Sequence, residues 1–109
     1  MFTQYYTKII SEEVAKALRE VNFPFPIADM GFAVPQIVEI SVDYASVLDW
    51  LADKDLFIIF NKIEESNTFW AYNRKKATDI RAINLDFYKA LDKVILLAIE
   101  FLKSEQNDA

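Results

Sequence analysis

Two neighbouring segments constrain this chain most. Leu56–Ile63 reads LFIIFNKI, and Thr68–Lys75 reads TFWAYNRK, with the polar stretch Glu64–Asn67 between them. Runs of aromatic and β-branched residues on either side of a short polar turn predict an antiparallel hairpin. Any loop with an even residue count gives the same two faces, and an odd loop exchanges the second strand's two sets. With an even loop, one face carries Phe57, Ile59, Asn61 and Ile63 with Trp70, Tyr72 and Arg74. The other carries Leu56, Ile58, Phe60 and Lys62 with Phe69, Ala71 and Asn73. Both faces are apolar near the start of the first strand. A two-layer domain covers one sheet face only. Either helices lie on both sides, or one side meets another subunit.

Helices flank the hairpin. Ser11 is placed to cap a helix whose first turn holds Glu12 and Glu13, with Val14, Leu18 and Val21 on one face. A start near Thr3 or Thr7 is the alternative. Asn22 suits the left-handed position that ends a helix, Phe23 can fold back on the last turn, and Pro24 and Pro26 oppose continuation. Phe23–Pro35 holds all three prolines and the single glycine, Gly31, and reads as an irregular connector. Gln36–Ile40 is a short strand, with Pro35 placing it at a sheet edge. Asp43 caps the second helix, where Val42 and Val47 fit a hydrophobic staple. Val47, Leu48, Trp50 and Leu51 form its buried stripe.

After the hairpin, Lys76–Ile83 reads as a polar connector. The last helix starts after Ile83 or Asn84 and runs to about Lys103. Phe87, Leu91, Val94, Ile95, Ala98 and Leu102 make its main face, and Leu96, Leu97 and Ile99 widen it almost all round. Such a helix is buried by more than one neighbour. The fold class expected is α+β, with three helices packed on a small antiparallel sheet in two layers. The element order is helix, short strand, helix, hairpin, helix. The chain of 109 residues fits one domain, with 104–109 as a frayed tail.

Composition limits the chemistry. There is no cysteine and no histidine, which removes thiolate nucleophiles, zinc–thiolate sites and the usual neutral-pH general base. One glycine cannot build a phosphate-binding loop. The net charge of −5 disfavours duplex nucleic acid as a default partner. The N-terminal MFTQYYTKIISEE lacks the pattern of a secretory signal, and no apolar run approaches the ~20 residues a bilayer span requires. The expectation is a cytoplasmic, non-enzymatic protein without cofactor or metal and without membrane contact.

Two groups of residues are the candidates for function. Asp49, Asp53 and Asp55 cluster at the end of the second helix, and Glu64 and Glu65 sit at the hairpin turn. Paired carboxylates serve hydrolysis or metal binding, whereas a solvated helix end and a polar turn explain these acids without function. Trp70 and Tyr72 precede the basic cluster Arg74, Lys75, Lys76 and Arg81. Aromatics beside cations on a sheet can stack bases and hold a phosphate backbone. The competing account has the aromatics packed against helices and the cations in water. Trp70, Tyr72, Arg74, Lys75 and Lys76 are therefore the expected interaction surface. Tyr5, Tyr6, Ile9 and Ile10 dock on the domain or on a partner. The partner expected first is protein, including a second copy of this chain, because the hairpin and last helix carry surplus apolar surface. Single-stranded nucleic acid is the alternative.

The segments EEVAKALREVNF, VDYASVLDWLADKDLFIIF and FYKALDKVILLAIEFL together resemble a pattern. Its first helix closes in Gly-Phe, here Asn22-Phe23; a Pro-Thr, here Val42-Asp43, opens a helix ending in Trp-Leu before a strand; an Ala-rich helix closes it. This is similar to short uncharacterised proteins encoded in gut Bacteroidetes genomes and their mobile elements or phages. The middle connector is shorter here. The resemblance implies the same element order and brings no activity, ligand or catalytic residue.

Overall fold

The computed structural model describes residues 8–25, 27–28, 36–37 and 42–107. Helix α1 spans Glu12–Arg19, α2 Tyr44–Asp53 and α3 Phe87–Asn107. Strands β1, Ile27–Ala28, and β2, Gln36–Ile37, form a separate two-stranded ladder. Strands β3 (Leu56–Ile63), β4 (Ser66–Asn73) and β5 (Ile80–Asn84) form an antiparallel sheet in the order β3-β4-β5. The α+β class and the three-helix order are as expected.

The caps explain where the first two helices begin and end. Ser11 accepts from the Val14 N–H at 3.3 Å, and Asp43 accepts from the Ser46 N–H at 2.9 Å. Val42 and Val47 are both buried, as a staple requires. At the end of α1, Asn22 holds φ at 62°, and the Phe23 N–H reaches back to the Leu18 carbonyl at 3.1 Å. That bond across a left-handed residue is the Schellman closure, with buried Phe23 supplying the apolar contact. Residues 8–10 run antiparallel to 42–44, through Ile10 N–H to the Val42 carbonyl and Tyr44 N–H to the Lys8 carbonyl, both at 3.1 Å.

Four boundaries and one added strand differ from the sequence reading. The hairpin closes through Glu64 and Glu65 alone, so β4 begins at Ser66 rather than Thr68. Asn67 lies in the strand because its side-chain amide donates to the carbonyls of Asn84 and Leu85, at 3.3 and 3.0 Å. Strand β4 stops at Asn73, whose Oδ1 takes the N–H groups of Lys75 and Lys76, each at 2.8 Å. The connector Lys76–Ile83 contains β5, which adds a third strand to the hairpin. Helix α3 is capped by Asp86, which accepts from the Lys89 N–H at 3.0 Å, while Asn84 belongs to β5. Helix geometry also continues past Lys103 through Asn107, where a frayed tail was expected from Ser104. Of the short strand expected over Gln36–Ile40, the described part is β2. Tyr5, Tyr6 and most of the connector Phe23–Pro35 lie outside the described residues.

The core lies between the helices and one face of the sheet. Leu18, Val47, Leu51, Leu56, Phe69, Leu91, Val94 and Ile95 are fully buried there. Helix α3 packs on β4 and β5 with one side and on α1 with another, which accounts for its broad apolar surface. Phe60, Phe69 and Phe87 form a ring cluster with centroids 4.9 to 5.4 Å apart, seating the start of α3 on the sheet. Phe87 meets both other rings edge-to-face, and such a pair adds about 0.5–1.5 kcal/mol beyond burial.

Candidate interaction surface

The loop of even length makes the two hairpin faces those expected from the sequence. Ile59 stands opposite Trp70 and Trp70 opposite Arg81; Phe57 stands opposite Tyr72, and Thr68 opposite Ile83. These residues share the face turned away from the helices, because Phe69, Ala71 and Ala82 of the alternate set are buried; Thr68 is the one member of the outward set that is itself fully buried. On that outer face Ile59 and Ile63 are each 50 % exposed, and Tyr72 and Ile83 each 53 %. They are four of the six large hydrophobic side chains exposed among the described residues, Ile9 and Leu85 being the others. Trp70 is half-buried in their midst.

Among the described residues, strand β3 is uncovered in more ways than one. It forms an edge of the three-stranded sheet. Helix α3 lies over β4 and β5, and β3 is met by α2. Consequently Ile58 and Phe60, on the helix side, remain only partly buried, as does Phe57 on the outer side. All eight residues of β3 pair with β4 in unbroken register, so no bulge twists this edge away.

The basic cluster is divided by its counter-ions. Arg74 donates to Asp55 Oδ1 at 2.7 Å and sits 5.7 Å from the centre of the Phe57 ring. Lys75 Nζ lies 3.4 Å from the other oxygen of Asp55. The hydrogen bond from Arg74, aided by Lys75, holds the Asp55 carboxyl below the ordinary carboxylate range. Lys76 instead reaches the helix layer and bonds Glu105 of α3 at 2.7 Å. Of the expected surface, Trp70 and Tyr72 thus share the outer face, Arg74 borders it beside Phe57, and Lys75 and Lys76 turn to acids. Arg81 makes no ion pair among the described residues and lies in register with Trp70. Ile83 and Asp55 were not singled out as members of this surface. The alternation in IRAIN, with Ile80 and Ala82 inward, is the signal for the first.

The remaining acids do not converge. Asp49 and Asp53 are exposed at the rim of a shallow cavity of about 330 Å³ beside Phe23 and Trp50. Glu64 and Glu65 lie exposed at the far end of the hairpin. Among the described residues no group of three or more acids is placed to hold a metal ion. A second shallow groove of about 340 Å³ runs between α1 and α3, floored by Ala17, Leu96 and Leu97 and rimmed by the Glu20–Lys103 ion pair. No described helix is long and apolar enough to cross a membrane.

No protein-family model matches the chain, and neither a curated protein nor a solved structure matches it.

Proposed function

We propose that this chain is a non-catalytic protein-interaction domain that associates with itself. One observation carries the reading: β3, apolar on both faces, occupies an edge of the sheet that is open among the described residues. Continuous apolar runs belong to strands covered on both sides. Edge strands in stable monomers are shortened, bulged or charged, and β3 has only Lys62 near its end. A second copy placed along this edge would give the run apolar cross-strand neighbours on both of its faces. Sedimentation velocity across a concentration series tests this directly. A dimer that dissociates on dilution is the expected result, and a strict monomer at high concentration would overturn it.

A second reading has its own observation. Trp70 and exposed Tyr72 stand beside Arg81, a cation with no ion pair among the described residues. Single-stranded nucleic acid uses such aromatic and cationic neighbours. Against it stand the net charge of −5 and the acids that engage Arg74, Lys75 and Lys76. Salt-sensitive binding of an oligonucleotide, lost in Trp70→Ala with Arg81→Ala, would favour this reading over the first.

A further inference from the structure

We infer that two copies join through their β3 edges, antiparallel and with Ile59 on the two-fold axis, to make one six-stranded sheet. This rests on the self-association proposed above and specifies its geometry. Three observations lead to it. The β3 edge is eight residues long, unbulged and free of proline, so its outward N–H and C=O groups form a straight template. In a hairpin with a two-residue loop, the residues flanking the loop exchange both hydrogen bonds. Counting back from Ile63, the backbone groups of Ile58, Phe60 and Lys62 therefore face the open edge. Finally, the strand is self-complementary.

Faces stay continuous across a two-fold only when the axis passes through a residue, because opposed residues must point the same way. With Ile59 on the axis, Ile59 meets Ile59 of the second copy, and each Ile58 meets a Phe60. Ile58, Ile59 and Phe60 then have apolar cross-strand partners at the centre of a seven-residue ladder, and at its ends Phe57 meets Asn61 and Leu56 meets Lys62. The other edge, β5, offers no such match: it has five residues and carries Arg81 beside its central Ala82. A second copy of this chain fits the β3 edge because the matching sequence is its own.

The absence of cysteine makes the test clean, since any single introduced thiol reports one position. Ile59 is half-exposed, so Ile59→Cys leaves the core intact. Opposed residues not bonded through their backbones have Cα atoms ~4.5 Å apart, within the range a disulfide spans. Mild oxidation should convert Ile59→Cys to a covalent dimer. Ile83→Cys, about five strand spacings from its counterpart in this arrangement, should stay reduced. Without oxidant, Ile59→Lys places like charges opposite each other and should weaken association by about tenfold, while Ile59→Thr should not. Ready cross-linking of Ile83→Cys but not Ile59→Cys would overturn edge pairing and leave self-association standing. A wild-type chain that stays monomeric would overturn both.

Discussion

The Tyr44 hydroxyl donates to Asp92 Oδ1 at 2.6 Å, tying the first residue of α2 to the core helix α3 across 48 positions of sequence. Tyr44 is 2 % exposed, its ring lies 5.6 Å from that of Tyr88, and the Lys8 ammonium lies 4.0 Å from the centre of the Tyr88 ring. Burial raises the Tyr44 hydroxyl well above its ordinary pKa, and the bond to Asp92 adds to this. The proton therefore stays on the tyrosine, and Asp92 accepts. Tyr44→Phe keeps the ring and leaves a partly buried carboxylate short of a donor. The expected loss is about 1–3 kcal/mol, measured by urea unfolding at neutral pH.

Asp92 also makes stability depend on pH. Burial is the main cause that raises its pKa, with Glu13 adding to it, while Tyr44, Ser11 and Lys8 act the other way. A raised pKa in the folded state means that the folded chain binds more protons than the unfolded one across the acid range. The contribution is greatest below the unfolded value, ~3.9, and is lost as pH rises through the folded value. Asp55 and Glu20, lowered by Arg74 and Lys103, contribute in the opposite sense and lose their share as pH falls. Asp92→Asn should remove the Asp92 part alone. The difference in unfolding free energy between wild type and variant should shift toward the variant from about pH 4 upward, and a flat difference would contradict it.

Legibility in the sequence followed the range of each interaction. Ser11, Asp43 and Asn22 could be read as caps because capping is decided within a few residues. Trp70 and Tyr72 could be put on one face because strand periodicity is local. Strand β5 was hidden because Ala82 and Arg81 carry weak strand signals, and its place is set by pairing with β4. The start of α3 was expected after Ile83 or Asn84, yet pairing with β4 claims both residues and leaves the cap to Asp86. The counter-ions of the basic cluster could not be foreseen: Asp55 meets Arg74 from 19 positions away, and Glu105 meets Lys76 from 29.

Two of the three left-handed non-glycine residues among those described, Glu64 and Asn22, give opposite predictions. Glu64 holds φ at 55° as the first residue of the hairpin loop, where Asn or Gly is favoured. Glu64→Asn should raise stability by up to ~1 kcal/mol, seen as a higher melting temperature with unchanged circular dichroism. Asn22 already suits its position, and Asn22→Ala should lower stability by about 1–2 kcal/mol.

Leu91 is fully buried on α3, within the core shared by helices and sheet. Leu91→Ala should cost about 2–5 kcal/mol, which approaches the whole stability of a small domain. Val94→Ala removes less volume at an equally buried site and should cost less. Loss of the cooperative urea transition in the first variant, with a shifted but intact transition in the second, is the expected pattern.

Asp55 separates the readings of the basic cluster. Its φ of 63° follows the end of α2, so asparagine fits the backbone there as well as aspartate does. Asp55→Asn therefore keeps the turn while removing the charge that engages both Arg74 and Lys75. If those cations serve the fold and solubility, the variant still binds no single-stranded oligonucleotide at low salt, and its self-association is unchanged, since Asp55 lies outside β3. If they serve a phosphate backbone, releasing them strengthens binding, and the affinity falls more steeply with added salt than for wild type. Fluorescence anisotropy of a labelled oligonucleotide at two salt concentrations decides between these outcomes. Self-association through β3 predicts the first.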